Sequence, residues 1–94
     1  MNSRERIQAT LSHQQPDRVA VDFNGHRSSG IMAQTYVQLR KHLGLAPSPL
    51  YVYDLIQQLA LVEDDVLDIV GADVVEVGHD VYKDPTYWQD WQLP

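Results

Sequence analysis

The fold is decided by residues 66–78, which read VLDIVGADVVEVG. The apolar residues before Gly71 keep the spacing of an α-helix, and glycine is the residue that most often follows a helix end. The β-branched run between Ala72 and Gly78 then predicts a strand. A helix that passes through a glycine directly into a strand is typical of consecutive αβ units, so this stretch predicts an α/β chain.

The same alternation is expected at the start of the chain. Asn2 can cap a first helix with Glu5 three residues later, and Gln15-Pro16 should stop it. In the stretch Val19–Phe23, apolar residues alternate with Ala20 and Asp22, which predicts a first strand with one buried face.

Two more helices are predicted between these strands. One should run from Ile31 to Leu43, capped by Ser28 or Ser29 and stopped by Gly44. After a brief extended stretch at residues 51–53, Asp54 can cap the next one. The apolar positions that share one face of this last helix are Leu55, Leu59, Val62, Val66 and Ile69.

Composition limits the classes of function. A chain of 94 residues allows one domain, and its net charge of −6 with seven scattered Lys and Arg residues disfavours nucleic acid as a partner. There is no cysteine and no run of roughly 18 apolar residues. We therefore expect a cytoplasmic protein that does not span a membrane.

The candidate site residues follow the two predicted strands. Phosphate-binding loops, zinc helices and nucleophile elbows are absent from the sequence. A polar loop after the first strand carries the side chains that could bind substrate, and the second strand delivers two more that could act in catalysis. The first group is Asp22, Asn24, His26 and Arg27, and the second is His79 and Asp80.

Each candidate also has an ordinary structural interpretation. Asp22 could accept hydrogen bonds from nearby backbone amides, and His26 and Arg27 could simply be solvated. The aromatic residues near the end of the chain could line a pocket or, more commonly, pack in a core or a subunit contact. These are Tyr82, Tyr87, Trp88 and Trp91.

Five short segments, in their order and spacing across nearly the whole chain, resemble the N-terminus of the uroporphyrinogen decarboxylase superfamily. More narrowly, the sequence is similar to the branch that includes corrinoid-dependent methyltransferases. The segments that carry the resemblance are NSRERI from Asn2, QPDRVAVDF from Gln15, SSGI from Ser28, VYDLIQQLA from Val52 and VLDIVGAD from Val66.

The resemblance implies a (β/α)8 barrel with its active site at the carboxyl ends of the strands. Because such a barrel needs about 250 residues, residues 1–94 would be its N-terminal segment, incomplete and inactive alone. The family implies a small-molecule or corrinoid-protein substrate, with cobalamin and zinc as cofactors. The zinc ligands of the best-known members lie later in the family's chain, so we expect this segment alone to bind no cofactor.

Alternatives remain open on sequence grounds. The decarboxylases, which are lyases of porphyrin biosynthesis, carry several arginines after the first strand, where this chain has only Arg27. We therefore prefer the methyltransferase branch to a decarboxylase. Asp80 falls near the position of the family's pyrrole-contacting aspartate. The chain could instead be a small non-catalytic domain that forms homo-oligomers, or a self-contained binder of small molecules.

Overall fold

A computed structural model describes residues 1–78 of the chain. This part is a mixed α and β structure with three α-helices and a two-stranded antiparallel sheet. The elements are α1 (Ser3–Leu11), a single 3₁₀ turn (Arg27–Ser29), α2 (Ala33–His42), β1 (Val52–Asp54), β2 (Leu59–Ala60) and α3 (Asp64–Val70). The predictions for His79, Asp80 and the aromatic end lie outside the described residues.

The first helix begins as predicted and ends early. The Asn2 side chain accepts a hydrogen bond from the Glu5 amide at 2.8 Å, and Glu5 accepts one from the Asn2 amide at 3.0 Å, which completes the capping box. Helix α1 ends at Leu11, before the expected stop at Gln15-Pro16, and His13 then adopts a left-handed φ of 57°. Its buried residue is Arg6, which the sequence pattern did not select.

The second helix lies where the sequence predicts it, but its predicted cap is wrong. Met32 occupies the N-cap position of α2 and makes no side-chain hydrogen bond to the helix. Ser28 and Ser29 instead belong to the 3₁₀ turn. Gly44, with a φ of 69°, follows the helix end as expected.

A β-hairpin replaces the first half of the predicted third helix. Strands β1 and β2 pair antiparallel, and the Asp54 carboxylate accepts hydrogen bonds at 3.0 Å from the amides of Ile56 and Gln57 in the turn between them. Ala60 and Val62 pack in one hydrophobic cluster, whereas Leu59 and Leu61 pack in another. This alternation has the period of a strand, and the helix begins only at Asp64.

The main core lies between α2, the hairpin and α3. It consists of Ala33, Tyr36, Val52, Ala60, Val62 and Val66. The buried Tyr36 hydroxyl accepts hydrogen bonds from the Glu63 amide at 2.9 Å and from Arg40 Nη1 at 3.3 Å. The aromatic ring therefore fills the core while its hydroxyl satisfies the donor at the start of α3.

The two strands predicted at residues 19–23 and 73–78 are wrong, because neither segment forms a β-ladder within residues 1–78. One backbone hydrogen bond joins them within residues 1–78, from the Asp73 amide to the Val21 carbonyl at 2.8 Å. The Val21 amide donates to the Asp73 carboxylate at 2.8 Å. The Val21 amide therefore donates to a side chain instead of to the backbone carbonyl of a neighbouring strand.

Asp73 connects these segments to α1 through hydrogen bonds. Its carboxylate is completely buried and accepts hydrogen bonds from Ser3 Oγ at 2.8 Å and Arg18 Nη1 at 2.9 Å, as well as from Arg6. The Val21 amide, together with these three side chains, holds the pKa of the Asp73 carboxyl far below its usual range against the opposing effect of burial.

Within residues 1–78, no helix is long and apolar enough to cross a bilayer.

Candidate functional site

The loop of residues 22–30 contains the four predicted substrate-binding residues. Asp22 is exposed, and its Oδ1 accepts hydrogen bonds from the Gly25 amide at 2.9 Å and from Ser29 Oγ at 2.8 Å. Its second oxygen, Oδ2, accepts no hydrogen bond from residues 1–78. Asp22 therefore shapes the loop through one oxygen and offers the other to solvent or a ligand.

Asn24 is buried, with 5% of its surface exposed, and has a left-handed φ of 68°. Asparagine tolerates this backbone conformation better than most residues. Its backbone amide donates to the Ser29 carbonyl at 2.8 Å, whereas its side-chain oxygen, Oδ1, is buried and accepts no hydrogen bond from the described residues 1–78. An acceptor in this state costs free energy, which a ligand N–H or O–H group would recover.

His26 caps the 3₁₀ turn with its ring. Its Nδ1 accepts a hydrogen bond from the Ser28 amide at 3.2 Å and lies 3.1 Å from Ser28 Oγ. The imidazole is exposed, and in the described part of the chain its Nε2 has no hydrogen-bond partner. The ring therefore has a structural role on one side and a free nitrogen on the other.

Arg27 connects the loop to the hairpin. Its Nε lies 3.0 Å from Asp54 Oδ2, and its guanidinium lies 6.0 Å from the centre of the Tyr53 ring. The pKa of the Asp54 carboxyl lies below its usual value because it accepts a hydrogen bond from the Gln57 amide, with smaller contributions from Ile56 and Arg27. Because Asp54 pairs with Arg27, this arginine is partly neutralised before any ligand binds.

Ser29 is the residue that joins three of the predicted site residues, and the sequence analysis missed it by assigning it to a helix cap. Its hydroxyl donates to Asp22 and accepts from the His26 amide at 3.2 Å, and its carbonyl accepts from Asn24. No hydrogen bond or ion pair brings Arg27 to Asp22 or Asn24 within residues 1–78. A serine followed by glycine in a polar loop was the available signal.

Gly25 allows the loop to approach the segment after α3. A Cβ atom at this position would lie 2.5 Å from Asp22 Oδ1 and 2.6 Å from Val74 Cγ2, closer than atoms can pack. The absence of a side chain therefore lets Val74 lie directly against the loop.

The described residues do not fit the zinc that the family resemblance implies. Residues 1–78 contain no group of three or more His, Asp or Glu side chains arranged to hold a metal ion. The whole chain has no cysteine, so it offers no thiolate ligand.

No family model matches this sequence, and no curated protein or solved structure is significantly similar to it. The function is therefore inferred from the loop and from the segments that support it.

Proposed function

We propose that this chain is the N-terminal βα segment of a uroporphyrinogen decarboxylase-like enzyme, in the branch of cobalamin-linked methyltransferases, and that it is inactive alone. The observation that carries the proposal is the position of residues 19–23 and 73–77. A hydrogen bond from the Asp73 amide to the Val21 carbonyl joins these segments, and Val74 lies against Gly25 in the loop of residues 22–30. In a (β/α)8 barrel, adjacent strands deliver their carboxyl ends to the active site in this way.

The direction of the two segments supports a parallel pair. Along both segments the contacts advance in the same order, from Arg18 with Gly71 to Val21 with Asp73 and then Gly25 with Val74. Three valines on these segments are largely exposed: Val19 at 83%, Val75 at 65% and Val77 at 86%. Further strands and helices of a barrel would cover such side chains and would pair the free backbone groups.

The loop supplies acceptors for substrate. Asp22 Oδ2 and Asn24 Oδ1 would receive N–H or O–H groups, and the free nitrogen of His26 could add a further contact. Arg27 already pairs with Asp54 and is poorly suited to grip several substrate carboxylates, which favours the methyltransferase branch over the decarboxylases. A bound cobalamin would supply the methyl group.

In this proposal His79 and Asp80, which lie outside the described residues, keep the catalytic roles that the sequence predicts. They directly follow Gly78, which is exposed and has a φ of 91°. An imidazole and a carboxylate at that place would orient substrate or move a proton.

The test uses the complete reading frame that contains these 94 codons. The purified product should transfer a methyl group from methylcobalamin to a small thiol, followed by the change in corrinoid absorbance. Asp22→Asn keeps the Oδ1 acceptor but removes the charge, and should lower kcat/KM by about tenfold. The matched variant Asp68→Asn, on the exposed end of α3, should change kcat/KM less than about twofold. Absence of methyl transfer would overturn the branch assignment, and decarboxylation of a porphyrinogen would replace it.

A second candidate function is a non-catalytic domain that associates with copies of itself. The exposed valines favour it, together with Ile56, which is 97% exposed in the hairpin turn. Sedimentation of the 94-residue chain distinguishes this candidate, since a folded monomer at micromolar concentration would exclude it.

A further inference from the structure

A surface hollow of about 200 Å³ lies at the C-terminal end of α2. It is lined by Val37, Arg40, Lys41, Leu45, Ala46, Pro47 and Ser48. The hollow shares no residue with the loop of residues 22–30, so it is independent of the site proposed above.

Arg40 is buried, with 8% of its surface exposed, and one of its N–H groups has no acceptor within residues 1–78. Its Nη1 and Nη2 donate to the Asp65 carboxylate at 2.8 Å and 2.9 Å. Nη1 also contacts the Tyr36 hydroxyl, and Nη2 donates to the Ala46 carbonyl at 2.8 Å. The Nε–H group is buried and has no hydrogen-bond partner among residues 1–78. An ionised group with one unsatisfied buried donor is a site where an acceptor would be bound favourably.

The planar guanidinium determines where this donor points. Asp65 occupies the edge formed by Nη1 and Nη2, so the Nη2 hydrogen that reaches Ala46 is the one beside Nε. The Nε–H group therefore points to the side of Ala46, which lines the hollow.

The helix end leaves few acceptors that could compete for this donor. The carbonyls of Arg40 and Lys41 already accept hydrogen bonds from the amides of Leu45 and Gly44, both at 3.1 Å. Because Nε has no acceptor within residues 1–78, a bound molecule could supply one.

We propose that this hollow binds an oxyanion, the carboxylate or phosphate group of a small ligand. Arg40 Nε would donate the buried hydrogen bond, and the Ser48 hydroxyl could donate a second. Asp65 balances the charge of Arg40, whereas Lys41 is exposed and forms no ion pair within residues 1–78. Lys41 therefore provides the net positive charge that holds the anion in a chain of net charge −6.

The experiment observes the Nε–Hε resonance of Arg40 by ¹⁵N NMR in the full 94-residue chain. Sodium phosphate and sodium acetate are titrated separately, with sodium chloride at matched ionic strength as the control. The proposal predicts a saturable shift with at least one oxyanion and none with chloride. Saturation by phosphate alone assigns a phosphate group to the ligand, and saturation by acetate alone assigns a carboxylate.

Two variants separate specific binding from general charge effects. Lys41→Gln should weaken binding by about two- to fivefold, whereas Arg4→Gln removes the same charge from the exposed face of α1 and should leave it unchanged. Both positions are exposed, so both variants should fold. A resonance that moves equally in chloride, that moves in none of the salts, or that responds identically in both variants would overturn the proposal.

Discussion

Removing the Tyr36 hydroxyl is the most informative perturbation of the core. Tyr36 is 1% exposed, and its hydroxyl connects α2 to the start of α3 through the Glu63 amide. Tyr36→Phe keeps the ring and its packing, but it leaves that amide without an acceptor and takes one of two side-chain partners from Arg40 Nη1. An unsatisfied buried donor costs about 1–3 kcal/mol, and the amide here is only partly buried. We therefore expect a loss of about 1–2 kcal/mol in the free energy of unfolding.

Urea denaturation followed by circular dichroism measures this loss, with an unchanged m-value as the sign that both variants unfold alike. Glu63→Pro provides the background for a double-mutant cycle, because proline has no N–H and Glu63 has a compatible φ of −79°. In that background Tyr36→Phe should cost less, since the Glu63 donor is already absent and only the 3.3 Å contact with Arg40 Nη1 is lost. An equal loss in both backgrounds would refute the reasoning.

Three further predictions concern the cap, the buried carboxylate and the loop. Asn2→Ala should lower the free energy of unfolding by about 1 kcal/mol in urea denaturation, whereas Gln8→Ala on the exposed face of the same helix should have little effect. The pKa of Asp73 is depressed in the folded chain, so its stabilising contribution is complete above about pH 4 and is lost as the pH falls toward the folded value. The urea midpoint should fall with acid more steeply in the natural chain than in Asp73→Asn, and parallel curves would contradict this. Gly25→Ala should destabilise more than Gly44→Ala and should shift the amide resonances of residues 22–30. An added Cβ meets atoms at 2.5 Å and 2.6 Å at the first position and nothing within 4 Å at the second, where only backbone strain of about 1–2 kcal/mol applies.

Local signals predicted the elements that depend on local interactions. The capping box of Asn2 and Glu5 fixes the start of α1 through neighbouring residues alone, and the left-handed Gly71 ends α3 in the same way. Helix α2 was predicted for the same reason, since its apolar residues and Gly44 are close in sequence. These features could be predicted because few long-range contacts compete with them.

The errors occurred where distant contacts decide the outcome. The apolar residues between Leu55 and Val62 fit both helical and strand spacing, and pairing with β1 selects the strand. Residues 19–23 have the alternation of a strand, but a strand requires a partner, and the Asp73 side chain takes the place of one at Val21.

In the loop of residues 22–30, local features could likewise be predicted and long-range contacts could not. A polar loop with glycine could be predicted from sequence, as could the exposure of His26 and Arg27. The ion pair of Arg27 with Asp54 could not, because 27 positions separate the partners and no local pattern links them. Burial of Asn24 likewise depends on contacts that form only in the folded chain.

The central proposal is that residues 19–23 and 73–77, which form no strand within residues 1–78, become paired strands in a complete barrel. Amide hydrogen exchange measures this directly, comparing the 94-residue chain with the product of the complete reading frame that contains it. We expect the amides of Val19, Val75 and Val77 to exchange rapidly in the 94-residue chain and at least about a hundredfold more slowly in the longer product, where strand pairing would protect them. A reading frame that stops at codon 94, or equal exchange at these amides in both chains, would contradict the claim.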